Sequence, residues 1–376
     1  MRRTRLITAA TAAAALTTIG LVSAPGAGAA GSTGSSDTSR GRVLTTDVIA
    51  PYQMAATAKG AYVADGFTNT LSLLRKDGSL SVVATGTGSE IGGVDASPDG
   101  RSIAWLSTTF PSGPGESFSS SITIRTQGKK DVVANLGKYE KTMNPDRDVT
   151  YGIVKNGNPC AREALRGLTG GPATYKGLLD SHPYAVASWG DGWIVADAAG
   201  NDLLKVDAKG AISTLAVLPA QPITFTAEMA AAVGAPDCVV GVTYAFESVP
   251  TDVEVDYRGN LVVTTLPGGP ESPALGARGS VWTLNPTSGA LKRLATGFLG
   301  ATNAAIGPDG VYVAELFAGR ITKVDWSGRK SLFTKVANPL SLEVRGGTLY
   351  AGTLADIDMS TGQVDGPGSI RSYWIL

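Results

Sequence analysis

From Ala50 to Leu376 the chain repeats one pattern about six times, and this repetition constrains its fold more than any single segment does. Each copy has a short apolar strand, a Gly-containing turn, a second apolar strand ending in an acid or Thr, a gap, a third strand, another Gly turn and a fourth strand. Clear copies begin at Ala50, His182, Val249 and Gly300. A unit of roughly 40–50 residues with strand periodicity and no helical run predicts the four-stranded antiparallel blade of a β-propeller. Charged residues are 17% of the chain, with 48 Gly and 20 Pro, which suits short strands and tight turns better than helices.

The blades, with strands A (innermost) to D (outermost), are read as follows. Blade one takes 52–58, 61–65, 70–75 and 80–84, and blade two 93–97, 102–107, 121–126 and 131–136. Blade three, the cleanest copy, opens at His182-Pro183-Tyr184 and continues through 193–197, 202–206 and 212–217. Blade four takes 251–255, 261–265, 279–284 and 291–295, and blade five 302–306, 311–315, 320–324 and 330–334. Blade six offers only 340–344, 349–353 and 370–375. The orphan segment Val43–Ile49 is expected to supply its fourth strand, joining the two ends of the chain and covering a bare sheet edge. The expected fold is therefore all-β: a six-bladed β-propeller whose last blade is completed by the N-terminal strand.

Residues 1–30 have the form of a Sec-type signal peptide: Arg2, Arg3 and Arg5, an apolar stretch from Leu6 to Val22, and the small-residue sequence Ala27-Gly28-Ala29. Residues 31–41 read as a flexible Gly/Ser/Thr leader and 42–376 as the propeller. No later segment is long and apolar enough to span a membrane, so a secreted, extracellular protein is expected. Net charge is zero, which implies no basic face for nucleic acid. The two cysteines, Cys160 and Cys238, are expected to form one disulfide, as an even count in a secreted chain favours.

Strand alternation places the A–B and C–D turns on one rim, and the B–C loops and D–A links on the other. The first set is short and uniform. The long excursions, B–C loops 108–119 and 267–278 and D–A links 138–181 and 218–248, all fall on the second rim, the top face, which is where function is expected. Both cysteines lie in those links, so their disulfide would clip the two insertions together. The top of the channel is expected to be ringed by Tyr52, Gln53, Asp65, His182, Tyr184, Asp197, Thr251, Asp252, Thr302, Asn303 and Glu315, with Arg278 nearby. Asp252 and Asn303 occupy equivalent positions in adjacent blades and are the candidate metal ligands, for Ca²⁺ if any. Asp65, Asp197 and Glu315 also match one another, and the capping of local backbone amides is the simpler role for them. His182, the only histidine, suits either a general base or a structural contact at a strand entrance.

Several stretches resemble the ScyD/ScyE family of secreted proteins: His182–Asp207, Pro250–Glu271, Leu275–Gly289, Ala301–Phe317, and the two cysteines with the run Thr243–Glu247. The resemblance implies a secreted propeller and carries no catalytic residue set. Two functions are expected to compete. One is a binding or scaffolding module whose small-molecule, glycan or protein ligand sits on the top face. The other is a Ca²⁺-dependent lactonase-like hydrolase at the channel mouth, which needs a third oxygen ligand beyond Asp252 and Asn303. A flat lower rim with nothing apolar that demands a partner suits a monomer.

Overall fold

A computed structural model of the protein describes residues 41–111, 117–169, 171–270, 273–358 and 361–375. The expected signal peptide and the leader up to residue 40 lie outside the described residues. Six four-stranded antiparallel sheets follow the repeat. Blade one is Pro51–Thr57, Gly60–Asp65, Thr70–Leu74 and Leu80–Thr85, and blade two is Glu90–Ala96, Ser102–Thr109, Ser119–Thr126 and Val132–Asn135. Blade three is Pro183–Trp189, Gly192–Asp197, Asp202–Val206 and Ile212–Val217. Blade four is Pro250–Val255, Leu261–Thr265, Gly279–Asn285 and Ala290–Phe298. Blade five is Ala301–Gly307, Gly310–Glu315, Arg320–Asp325 and Lys330–Lys335. Blade six is Pro339–Arg345, Thr348–Thr353 and Ser369–Trp374, with Arg42–Thr45 as its outer strand. The inner strands pack on one another in sequence around a closed circuit, blade six against blade one included.

The N-terminal strand closes the ring as its apolar pattern predicts, although it is shorter than the expected 43–49. Arg42 pairs with Ser372 and Val43 with Arg371, and a bulge precedes the pairing of Thr45 with Ile370. Beyond it the backbone turns inward: Val48 and Ile49 carbonyls accept the amides of Gly368 and Ala355, while Val48 joins Met54, Val63 and Ile370 in the core between blades six and one. Each of the other five blade interfaces has its own apolar cluster, such as Leu106, Ile122, Val186 and Val195 between blades two and three. The B strands are sealed on both faces, with Ile194, Val195 and Ala196 fully buried, and each large aliphatic side chain buried this way contributes roughly 1.5–3 kcal/mol.

The turns on the lower rim share one mechanism. Asp207, Asp256 and Asp325 each accept the backbone amides two and four residues ahead, and a Gly with positive φ follows three residues on. Gly210 and Gly328, both at φ 87°, adopt a conformation that a β-carbon would disfavour.

The two D–A links, read from the sequence as long excursions, carry secondary structure of their own. They combine into a seventh four-stranded sheet, in the order Thr174–Lys176, Thr150–Lys155, Thr243–Phe246 and Gln221–Thr224. Its centre pairs one link with the other, Gly152 with Ala245 and Ile153 with Tyr244. Three helices accompany it: Leu136–Met143, Pro159–Thr169 and Ala227–Ala232. Ile153, Ala161, Leu165, Phe225, Val239, Tyr244 and Phe246 form its core, joined by Leu275 from the B–C loop of blade four. Asn135 and Thr226 cap the first and third helices through Lys138 and Met229 amides. A further hairpin, Asp356–Asp358 with Gln363–Gly366, fills the B–C loop of blade six.

Cys160 and Cys238 are disulfide-bonded, with Cα atoms 6.1 Å apart and a separation of 78 positions in sequence. The bond ties helix Pro159–Thr169 to the turn Asp237–Val239. By chain entropy a loop of this length is worth about 4.5 kcal/mol at most. A Cys160→Ser/Cys238→Ser double variant should lose about 2–4 kcal/mol in denaturant titrations and become protease-sensitive within 138–181 and 218–248 before the blades unfold.

Candidate functional site

The channel mouth on the top rim is built from strand entrances. Tyr52 and Tyr184 open the inner strands of blades one and three, and their rings lie edge to face, 6.0 Å between centroids. Gly66 makes room for the Tyr52 ring, which would otherwise strike a β-carbon there. His182 stacks at 4.3 Å on Tyr184 and meets the edge of Phe110 at 4.8 Å. Phe110 follows strand B of blade two and is exposed, as is Phe67 after strand B of blade one. The mouth thus has an aromatic wall contributed by blades one, two and three. Phe110 and Phe67 escaped the sequence reading because loop aromatics carry no periodicity.

Beneath the wall, His182 Nε2 lies 2.6 Å from Glu90 Oε1, and the His182 ring is only 2% exposed. The His182 amide donates to Asp197 Oδ1 at 2.7 Å, while Nδ1 has no partner. The histidine therefore links blade two to the entrance of blade three. The equivalent acids cap similar entrances. Asp65 accepts the amides of Ile49, Ala50, Phe67 and Thr68. Glu315 accepts the Leu299 amide and is held by Arg320 and Thr322, which keep its carboxyl below the usual range despite burial.

Within the channel, one register position recurs in every inner strand: Gln53, Gly93, Ala185, Asp252, Asn303 and Ser341. Gln53 spends its whole amide across the axis. Oε1 accepts Val94 and Val186 amides at 3.0 and 3.1 Å, and Nε2 donates to the Val186 carbonyl and Asp252 Oδ1 at 3.2 and 3.1 Å. A β-carbon on Gly93 would sit 2.6 Å from Gln53 Oε1, so glycine is what lets the side chain cross. Asp252 Oδ2 accepts the Ala304 amide at 2.8 Å, and Asn303 Oδ1 accepts the Leu342 amide at 2.7 Å. Thr251 and Thr302 similarly donate to the Ala301 and Pro339 carbonyls of the next blade. These contacts engage the two residues read as candidate metal ligands, Asp252 and Asn303, in the ring itself. Both are buried; Asp252 Oδ1 accepts from the Gln53 side chain, Asp252 Oδ2 and Asn303 Oδ1 accept backbone amides, and no group of three or more described His, Cys, Asp or Glu side chains is arranged to hold a metal ion. Arg278 is likewise a fastener: it donates to the Gly268 carbonyl, lies 4.7 Å over the Phe246 ring, and is lowered to about 10 by burial.

Two residues further along the same strand face, Asp95, Glu254 and Glu343 come from blades two, four and six. After burial, Glu343, Asp252 and Asp95 raise Glu254, and Asp95 and Asp252 raise Glu343. Asp95 Oδ2 accepts the Ser188 amide and Glu343 Oε1 the Ala56 amide, again across to the next blade. Glu254 accepts no hydrogen bond among the described residues. Burial is the main cause in each case, lifting Asp95 to about 6, Asp252 to about 7, and Glu254 and Glu343 well above the carboxylate range. Sequence reasoning missed this acidic lining because it lies below the mouth, on strand residues that read as ordinary alternation.

Neither a family model nor a curated protein sequence matches the chain. Solved structures do share its fold. It is similar to a Thermus thermophilus protein described as a putative oxidoreductase (glucose dehydrogenase), at 14% identity over 88% of this chain and 98% of the other, with a TM-score of 0.51. It is also similar to a protein of unknown function from Bacteroides thetaiotaomicron, at 11% identity over 87% and 70% of the two chains, TM-score 0.51. Virginiamycin B lyase from Staphylococcus aureus is 15% identical over 89% and 87%, TM-score 0.46. At such identities the likeness establishes a β-propeller and nothing about chemistry.

Two outcomes are expected. Gln53→Ala removes four hydrogen bonds and leaves buried amides unpaired, so it should cost about 3–5 kcal/mol in chemical denaturation. The channel carboxyls bind protons in the folded state that the unfolded chain releases near pH 4. Stability should therefore fall as pH rises from about 4 through the folded values of about 6 for Asp95 and about 7 for Asp252. Glu254→Gln, which breaks no hydrogen bond, should raise Tm at pH 8 and leave it unchanged at pH 4.

Proposed function

We propose that the protein is a secreted binding module that holds a carbohydrate ligand at the channel mouth, with the Cys160–Cys238 insertion as one wall of the top face. The carrying observation is the aromatic wall of Tyr52, Tyr184 and Phe110, drawn from three blades and partly open to solvent. Aromatic faces stack on the apolar C–H faces of sugar rings and lose little entropy when they do so. His182, with one nitrogen on Glu90 and the other buried, braces this wall and has no surface from which to take a substrate proton, which supports binding over general-base catalysis. The engagement of Asp252 and Asn303 in hydrogen bonds between blades weighs against the lactonase reading.

Secretion is supported by the signal-like N-terminus, by the disulfide, and by the finding that no helix among the described residues is long and apolar enough to cross a membrane. Placement in the ScyD/ScyE family rests on the segments that resemble it, chiefly His182–Asp207 and Ala301–Phe317, and fits a propeller that presents a surface.

Screening the purified protein on an array of soluble oligosaccharides, followed by titration calorimetry of the best binder, tests the reading. Phe110→Ala and Tyr184→Ala should each weaken binding about tenfold, equivalent to about 1.4 kcal/mol, without lowering Tm by more than a few degrees. An array with no binder, or a binder indifferent to both substitutions, would refute a carbohydrate site at the mouth.

A further inference from the structure

A cavity of about 380 Å³ opens on the lower rim, at the joint where the ring closes between blades six and one. One side of it is made by the A–B and C–D turns of blade one. The other is made by strands B and C of blade six and the N-terminal strand Arg42–Thr45. The two sides are fixed to each other. A β-carbon on Gly78 would lie 2.5 Å from the Leu44 carbonyl oxygen, so the turn of blade one rests directly on the ring-closing strand. Ala56 is held from blade six at both its polar groups: Glu343 accepts its amide, and Arg345 donates to its carbonyl. The cavity is therefore part of the closed ring and needs no rearrangement to form.

Its lining is divided by chemistry. Leu44, Ala56, Ala61 and Leu74 form the apolar part, with Ala61 and Leu74 buried. Arg42, Arg75 and Lys76 supply three exposed cations. Arg42 and Lys76 enter no ion pair or side-chain hydrogen bond among the described residues. Arg75 donates Nε to Ser81 Oγ at 3.0 Å and keeps its two terminal nitrogens. Nearby cations on the same rim are spent differently, Lys323 on Asp309 and Arg329 on Asp325. The one acid on the lining, Asp77, uses Oδ1 on the amide and hydroxyl of Ser79 within its own turn. The half-buried hydroxyls of Tyr350, Thr348 and Ser372 also face the cavity and have no hydrogen bond among the described residues.

We propose that this cavity binds a small organic anion, with one carboxylate or phosphate group held by Arg42, Arg75 and Lys76 and a body of about one ring against the apolar side. Guanidinium groups match either anion with paired N–H donors, and an ammonium adds a point charge. Three cations against one carboxylate, set in a concave site with low-dielectric walls, concentrate anions there. The three hydroxyls can donate or accept, which suits the oxygens that such a molecule carries. Size sets the body: ligand cavities run from roughly 300 to 1,000 Å³, and this one lies at the small end. The site is on the rim opposite the aromatic mouth and does not depend on the carbohydrate reading.

The purified protein is titrated by calorimetry at low salt with glucose 6-phosphate, glucuronate, phenyl phosphate and benzoate, and with inorganic phosphate as a control. At least one of the four should bind one-to-one with a Kd of about 1 mM or tighter, and about tenfold more tightly than inorganic phosphate. Comparing the phosphates with the carboxylates identifies the head group, and comparing the sugars with the aryl compounds identifies the body. Raising NaCl to about 0.5 M should weaken binding severalfold. Arg75→Ala and Lys76→Ala should each weaken it about tenfold with Tm unchanged, because both side chains are exposed. Ser372→Phe, which fills the cavity, should abolish it. Lys209→Ala, in the corresponding turn of blade three, and Tyr184→Ala, at the mouth, should both retain it. The proposal is overturned if none of the four binds up to roughly 10 mM, near the weak limit of specific recognition. It is equally overturned if inorganic phosphate binds as tightly as the organic anions, if binding survives both Arg75→Ala and Ser372→Phe, or if Tyr184→Ala abolishes it.

Discussion

Six sheets arranged about an axis present six inner edges, and the amides along those edges must be hydrogen-bonded or they cost stability. In this protein they are served by side chains reaching from one blade to the next. Gln53 serves Val94 and Val186, Asp95 serves Ser188, Asp252 serves Ala304, Asn303 serves Leu342, and Glu343 serves Ala56. The apolar clusters between blades hold the sheets together further out, but this polar stitching sets their spacing at the axis. Gln53 is the central member, since its one amide touches blades two, three and four from blade one.

The same requirement explains why acids that look like ligands in the sequence are structural here. An acceptor beside a free amide is most stably placed when it takes that amide, and Asp65, Asp197 and Glu315 do the same at strand entrances. The cost is a channel lined with carboxyls that repel one another, so stability is tied to pH. Above them the mouth is walled by the rings of Tyr52, Tyr184 and Phe110, with His182 between the last two.

The insertions show how two long links become a folded unit. Neither could bury its apolar face alone, but pairing Ile153 with Tyr244 joins them into one sheet over one core. The disulfide then closes the unit against fraying, and the acids Glu140, Asp146 and Asp202 lie at the seam between it and blade three.

The blade repeat, the closure of blade six by the N-terminal strand and the pairing of Cys160 with Cys238 were all legible in the sequence. Each depends on local periodicity, turn residues or chain order. The seventh sheet was not legible, because its strands lie about 90 residues apart in chain order and acquire partners only once both links fold over the same blades. Nor was the fate of the polar residues. Asp252 and Asn303 differ from a metal pair only in what stands opposite them, and the next blade's amide decides that. Glu140, Asp146 and Asp202 look like solvated surface charge in the sequence, and become a buried cluster only when the insertion packs on blade three. Sequence therefore determined which elements form and in what order they ring the axis, whereas tertiary structure decided which polar groups are spent on the fold, because a hydrogen bond between blades exists only after the ring has closed.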